Sequence, residues 1–206
     1  VLTFDDGTED HYSLAAPLLE DQSLRGIFYV STAMLDTPGY MTRDQCRDLG
    51  SRGHAIESHG HSHAPVQTIP RESLAVELAQ SREELLMIGE CKIRSLAAVG
   101  GYIDSQLEEA AAIAGFYSLR TLKWGYNEKP GFLWESININ RSIGNVMFQA
   151  LIEPRRILVK KLFYAAKEAA KASLMKNAYY RIRNGRYFFN KKQMGDPRKI
   201  RRPDCA

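Results

Sequence analysis

Val1-Leu2-Thr3-Phe4-Asp5-Asp6-Gly7 opens the chain, and its abrupt change of chemistry decides how the rest is read. Four residues suited to a strand run into two adjacent carboxylates and a glycine. That is a strand ending in a loop. Working outward, Ser13–Leu24 places Leu14, Leu18 and Leu19 at helical spacing, and Gly26–Ser31 is β-branched and aromatic. Thr42 is placed to cap a helix through Leu49, which Gly50 and Gly53 stop, and His54–Ser58 reads as a short strand. Arg71–Ile88 is the longest helical pattern, with Leu74, Leu78, Leu85 and Ile88 on one side and Gly89 at its end. A strand over Arg94–Ala98, a helix over Ser105–Ala114, a strand over Phe116–Thr121 and a strand over Trp134–Ile139 follow. Alternating β and α segments predict parallel strands under helices, as an open α/β sheet or a barrel.

In such folds the chemistry sits at the carboxyl ends of the strands. Two neighbouring carboxylates repel each other, so Asp5-Asp6 at a strand end calls for a cation or a proton to settle the conflict. At the break from strand to loop both can turn into one pocket, one ligating a metal and the other serving as a base. Asp-Gly is also ordinary turn chemistry. The second unusual strand end is Ser58-His59-Gly60-His61-Ser62-His63, which holds three of the chain's five histidines. His59 and His63, four apart, lie on one side of a helical turn and can offer imidazoles to one ion. With Asp6 they make two nitrogens and one oxygen, the pattern of a catalytic zinc site with positions left for water. The third is Val99-Gly100-Gly101-Tyr102, where paired glycines allow close backbone approach and can aim an N–H at an oxyanion.

Together, Leu2–Gly7 and Ser58–His63 resemble the polysaccharide deacetylase family (the NodB-homology, or carbohydrate esterase four, group). Phe28-Tyr29-Val30-Ser31-Thr32 looks like the family's second strand, and Gly115-Phe116-Tyr117-Ser118 like its late Ala-Gly-Phe segment, so the resemblance covers about Val1–Ile152. It implies a distorted, incomplete (β/α) barrel of the TIM-like, seven-stranded type. It also implies a metal-dependent hydrolase that removes N-acetyl groups from amino sugars of a glycan or glycolipid. Asp5 then matches the catalytic base, Asp6, His59 and His63 the ligands of one divalent ion (zinc foremost), and Gly100 the backbone donor to the oxyanion. Removal of O-acetyl groups, cleavage of another amide, or non-catalytic glycan binding are the alternatives on the same scaffold.

The chain departs from the family's pattern in four places, one of them the later aspartate-tryptophan motif, which is not matched cleanly. Gly60 stands where Ser or Thr usually follows the first ligand histidine. Leu96–Gly101 lacks the third motif's proline and arginine, with Ala97 where the arginine would fall and Val99 where the proline would. No histidine follows His63, so the family's late proton-donating histidine has no counterpart. Asp5 itself, His11 or His61 could stand in. Trp124 could line a sugar-binding wall or sit in the core, and Arg141 could reach the acidic site or pair at the surface.

Charge divides the chain. Residues 1–153 carry 12 Lys+Arg against 21 Asp+Glu, a balance of −9, while residues 154–206 carry 16 against 3, or +13, and the two return the net +4. The expected organisation is therefore a deacetylase-like domain over 1–153 and a basic extension over 154–206, its helix running from Pro154 to Arg183. That extension could cover the barrel, lie on an anionic membrane surface, or grip an anionic polymer; nucleic acid is the least expected partner because no binding motif is present. No apolar run approaches the roughly 20 residues of a spanning helix. The three cysteines have neither zinc-knuckle nor disulfide spacing. The first residue already lies within a strand-like run, so the sequence leaves open whether a leader precedes it. A cytoplasmic or membrane-peripheral location is the expectation.

Overall fold

A computed structural model of the chain describes residues 1–89, 92–125, 127, 131–139 and 143–152. The chain divides into two compact units, Val1–Asn140 and Arg141–Ala206. In the second, the described element is α5 (Asn145–Ile152); the basic helix expected over 154–183 lies outside the described residues, as does Arg141.

The first unit is built on six strands: β1 (Leu2–Phe4), β2 (Gly26–Val30), β3 (Ala55–Ser58), β4 (Ser95–Ala97), β5 (Ser118–Arg120) and β6 (Leu133–Trp134). They pair in sequence order and every pairing is parallel; the first four connections carry helices, and among the described residues the sheet stays open between β1 and β6. This is the incomplete barrel, with six strands among the described residues where the seven-stranded type was expected. The crossovers carry α1 (Ala16–Asp21), α2 (Arg43–Ser51), α3 (Arg71–Ile88) and α4 (Ser105–Ile113).

The two faces of the sheet differ in chemistry. Phe28, Val30, Ile56, Leu96 and Leu119 point to one side, where they form a single apolar core with Ala16, Leu19, Leu49, Leu74, Leu78, Leu85, Leu107 and Ala111 of the helices. Alternation sends their neighbours to the other side, and that inner face is polar. Tyr29 and Glu57 are register partners there, and so are Ala97 and Arg120. The Tyr29 hydroxyl shares a hydrogen bond with Ser95 Oγ (2.9 Å), and Glu57, buried, accepts the backbone N–H groups of Arg94 (2.8 Å) and Ser95 (2.7 Å).

Local signals explain most boundaries. Thr42 accepts from Gln45 N while the Gln45 side chain accepts from Thr42 N, a reciprocal capping box that starts α2. Asp104 caps α4 through Leu107 N. Helix α3 buries Leu74, Leu78, Leu85 and Ile88 as its spacing requires, and Ser81 on the same face bonds Ser58 Oγ at the end of β3 (2.8 Å).

Two expected elements differ. The helix over Ser13–Leu24 is a π-type turn (His11–Ala15) followed by the short α1, because Pro17 lacks the N–H that would continue a regular ladder and Ser23 turns left-handed (φ 55°). Ala16 and Leu19 face the core, whereas Leu14 and Leu18 remain exposed. The strand over Trp134–Ile139 stops after Trp134. Beyond it, one backbone bond continues (Ser136 N to Lys123 O, 2.9 Å) and side chains add the rest: Ser136 Oγ donates to Thr121 O (2.6 Å) and Asn138 Nδ2 to Leu122 O (3.0 Å).

Candidate metal centre

Three loops at the carboxyl ends of β1, β3 and β4 carry the residues singled out in the sequence. The β1 loop must cross the end of β2 to reach the β3 loop, and Gly7 makes this possible. A Cβ there would stand 2.9 Å from Val30 Cγ1, and its φ of +77° is itself a glycine conformation. The loop is held by Met41 N donating to Gly7 O (2.9 Å). The histidine loop extends the ladder onto β2: His59 N donates to Val30 O (2.9 Å), Thr32 N to Gly60 O (3.2 Å) and Ala33 N to His61 O (3.0 Å). From the helix side, Glu77 Oε1 accepts from His61 N (3.0 Å), Ser62 N (2.6 Å) and Ser62 Oγ (2.8 Å).

This scaffold brings Asp6, His59 and His63 together, with one ligand atom from each lying within 4.8 Å of the others. Asp6 Oδ1 is 3.2 Å from His59 Nε2 and 3.0 Å from His63 Nε2. His59 is buried, and its Nδ1 bonds Ala97 O at 2.7 Å. A carbonyl only accepts, so a proton sits on Nδ1 and Nε2 is the ring atom turned toward the cluster, the orientation a metal ligand needs. Hydrogen bonds from His59 and His63 hold the Asp6 carboxyl well below the usual carboxylate range, outweighing its partial burial. Two of the three residues have left-handed backbones, Asp6 at φ 81° and His63 at φ 57°. Such strain persists where the surrounding structure dictates it, and it gathers at functional sites.

Asp5 stands beside the cluster in sequence but is held differently. Its Oδ2 pairs with the guanidinium of Arg120, which is buried and lies 5.0 Å from the centre of the Tyr29 ring. Asp5 Oδ1 is buried and has no hydrogen-bond partner among the described residues. Each of the two adjacent carboxylates thus has its own cationic or imidazole partners, which resolves the repulsion noted in the sequence. Arg120 and Glu57 were not singled out there. The available signal was a charged residue in each of two short, buried strands, Ser118–Arg120 and Ala55–Ser58.

Gly100 lies in the turn after β4 with φ +75°, at the same end of the sheet. The candidate proton donors divide. His61 is engaged at both ring nitrogens, Nδ1 with Thr32 Oγ1 (2.8 Å) and Nε2 with the Gln80 amide (3.0 Å). His11 sits against Phe4 and Phe28 of the outer core, and burial pushes its pKa down. Trp124 is buried.

The polysaccharide deacetylase family profile matches residues 1–119. The chain belongs to the polysaccharide deacetylase family. This is a family of hydrolases whose members generally use a divalent metal. YxkH of Bacillus subtilis, named as a polysaccharide deacetylase, is 25% identical over 83 residues, covering 40% of this chain and 30% of its own length. The chain therefore spans under a third of that relative. Among solved structures, a de-N-acetylase from Aggregatibacter actinomycetemcomitans superposes with a TM-score of 0.67 at 19% identity, covering 74% of each chain. The Streptococcus pyogenes deacetylase PplD, solved with acetate, gives 0.66 at 19%, over 74% of this chain and 70% of that one. At these identities the likeness is one of fold.

Proposed function

We propose that this polysaccharide deacetylase is a metal-dependent hydrolase acting on the N-acetyl groups of amino sugars in a glycan or glycolipid. The observation that carries the reading is the Asp6–His59–His63 cluster with a second carboxylate, Asp5, held next to it by other means. The donor set fits a divalent ion, zinc foremost: two imidazole nitrogens, one carboxylate oxygen, and a His59 ring oriented by Ala97 O. When bound, such an ion supplies Lewis acidity to an acyl oxygen and acidifies water.

The chain's own groups do the rest. Asp5 takes the proton of the attacking water on Oδ1, the oxygen that Arg120 does not hold. The Gly100 N–H donates to the acyl oxygen as it gains charge. The new C–O bond forms, the amide C–N bond breaks, and the proton passes to the departing amine. With His61 tied at both ring nitrogens and His11 in the outer core, Asp5 is the group that returns it.

Acetate release from N-acetylated chitooligosaccharides and from O-acetylated xylooligosaccharides, by the zinc-loaded parent and Asp5→Asn, tests the reading. The expected result is acetate from the N-acetyl substrates, reduced roughly 100-fold or more in the variant. Acetate from the esters alone would replace amide with ester hydrolysis, and none from either would sink the proposal.

A further inference from the structure

The third motif of the family usually places an arginine where this chain has Ala97, and the structure shows what occupies that place. Ala97 and Arg120 are register partners on β4 and β5, so their side chains leave the sheet at the same level and on the same inner face. Ala97 is fully buried and contributes almost no volume. Arg120 extends from the neighbouring strand at the same level and pairs with Asp5 Oδ2.

We infer that Arg120 is the positioning residue for the catalytic base, acting from the strand next to the place where the family usually has its arginine. Three observations carry this beyond a chance ion pair. First, Arg120 is buried, and a guanidinium is expensive to desolvate unless its partner is worth the cost. Second, its head group is aimed at Asp5: among the described residues its side-chain hydrogen bond goes there, its Nε is buried without a partner, and the guanidinium lies over the face of Tyr29. An arginine placed merely to bind strands together would spend its five donors on them. Third, gripping Oδ2 fixes the rotation of the carboxylate and leaves Oδ1 without a protein donor, the state a base needs before it accepts a proton. Asp6 pairs with His59 and His63 while Asp5 pairs with Arg120, so the metal ligands and the base are held by different partners.

This inference rests on the deacetylase reading, and the experiment separates the two. The parent chain, Arg120→Met, Arg120→Lys and the double variant Ala97→Arg/Arg120→Ala are compared for zinc content, unfolding midpoint, kcat and KM on N-acetylated chitooligosaccharide. Displacing a reacting group by about 1 Å costs up to roughly 100-fold, so Arg120→Met should lose 10- to 100-fold in kcat with KM and zinc content unchanged. Arg120→Lys should lie between. The double variant, with its arginine back on β4, should recover most of the loss, which no general structural role for Arg120 would produce.

In parallel, the 15N guanidinium resonances of Arg120 are compared in parent and Asp5→Asn, a readout that needs no turnover. Loss of protected Nη signals in Asp5→Asn supports the pair. Signals unchanged by Asp5→Asn, a kcat within twofold of parent in Arg120→Met, or zinc loss in that variant would each overturn the inference. So would a double variant that folds and binds zinc but stays as slow as Arg120→Met. A parent inert on every substrate with the Arg120–Asp5 pair intact would instead overturn the deacetylase reading, and the catalytic purpose of Arg120 with it.

Discussion

The Ala97 carbonyl sets the orientation of His59: by accepting from Nδ1 at 2.7 Å it leaves Nε2 as the ring atom that faces Asp6. Metal content follows directly. Purified parent supplied with zinc should hold about one ion per chain, and His59→Ala should lose it, as measured by elemental analysis after gel filtration. Cys46 illustrates the opposite kind of residue. Burial pushes its thiol up to about 12, and Asp36 adds to the shift. Native protein should therefore leave Cys46 unlabelled by iodoacetamide at pH 8 while the unfolded chain is labelled, read by peptide mass mapping. The functional set was legible in sequence only where it is local. Adjacent Asp5 and Asp6, and histidines two apart after a strand, advertise themselves. Arg120 reaches Asp5 across 115 positions, and nothing within its own strand says which residue it will meet.

Among the elements, helices with written ends were the most readable. The Thr42–Gln45 box stands at the amino end of α2, and each side chain satisfies the other's backbone N–H. Thr42→Ala should cost about 0.5–2 kcal/mol in urea unfolding, and adding Gln45→Ala should cost less than its effect alone, because the two form one unit. Helix α3 was readable from its apolar spacing, with all four expected residues in the core. The short elements were not. Strands β4 and β5 have three residues each and β6 two, so position in a parallel sheet decides them more than propensity does. For the segment after Trp134, polar side chains capture the carbonyls of Thr121 and Leu122, a long-range outcome that a β-rich composition conceals.

Across the whole first unit, the two ends of the sheet use similar residues for different purposes. At the carboxyl end, His59 and His63 face Asp6. At the amino end, His54 is buried, accepts Gly26 N–H on Nδ1 (3.1 Å) and meets Glu20 through Nε2 (2.9 Å), while Arg52 grips Glu20 with two hydrogen bonds of 2.8 Å. This network joins α1, α2, β2 and β3, so its titration is felt by the fold. Hydrogen bonds from Arg52, then His54, depress Glu20 from an ordinary value of 4.5 to about 2. A depressed acid stabilises the fold above its unfolded value and loses that contribution as pH falls. Unfolding free energy should thus decline between about pH 4.5 and 2, and Glu20→Gln should flatten that part of the profile in denaturant titrations.

The bond from His59 to the main chain at position 97 has a consequence for descent as well as for chemistry. A carbonyl is present whatever residue is encoded there, so a substitution at position 97 leaves the acceptor for His59 Nδ1 in place. The proposed base has no such insurance, since Asp5 is held by one replaceable side chain at position 120. Lineages that lose activity by drift should therefore change at position 120 first, and keep a complete metal-binding shell long after turnover is gone.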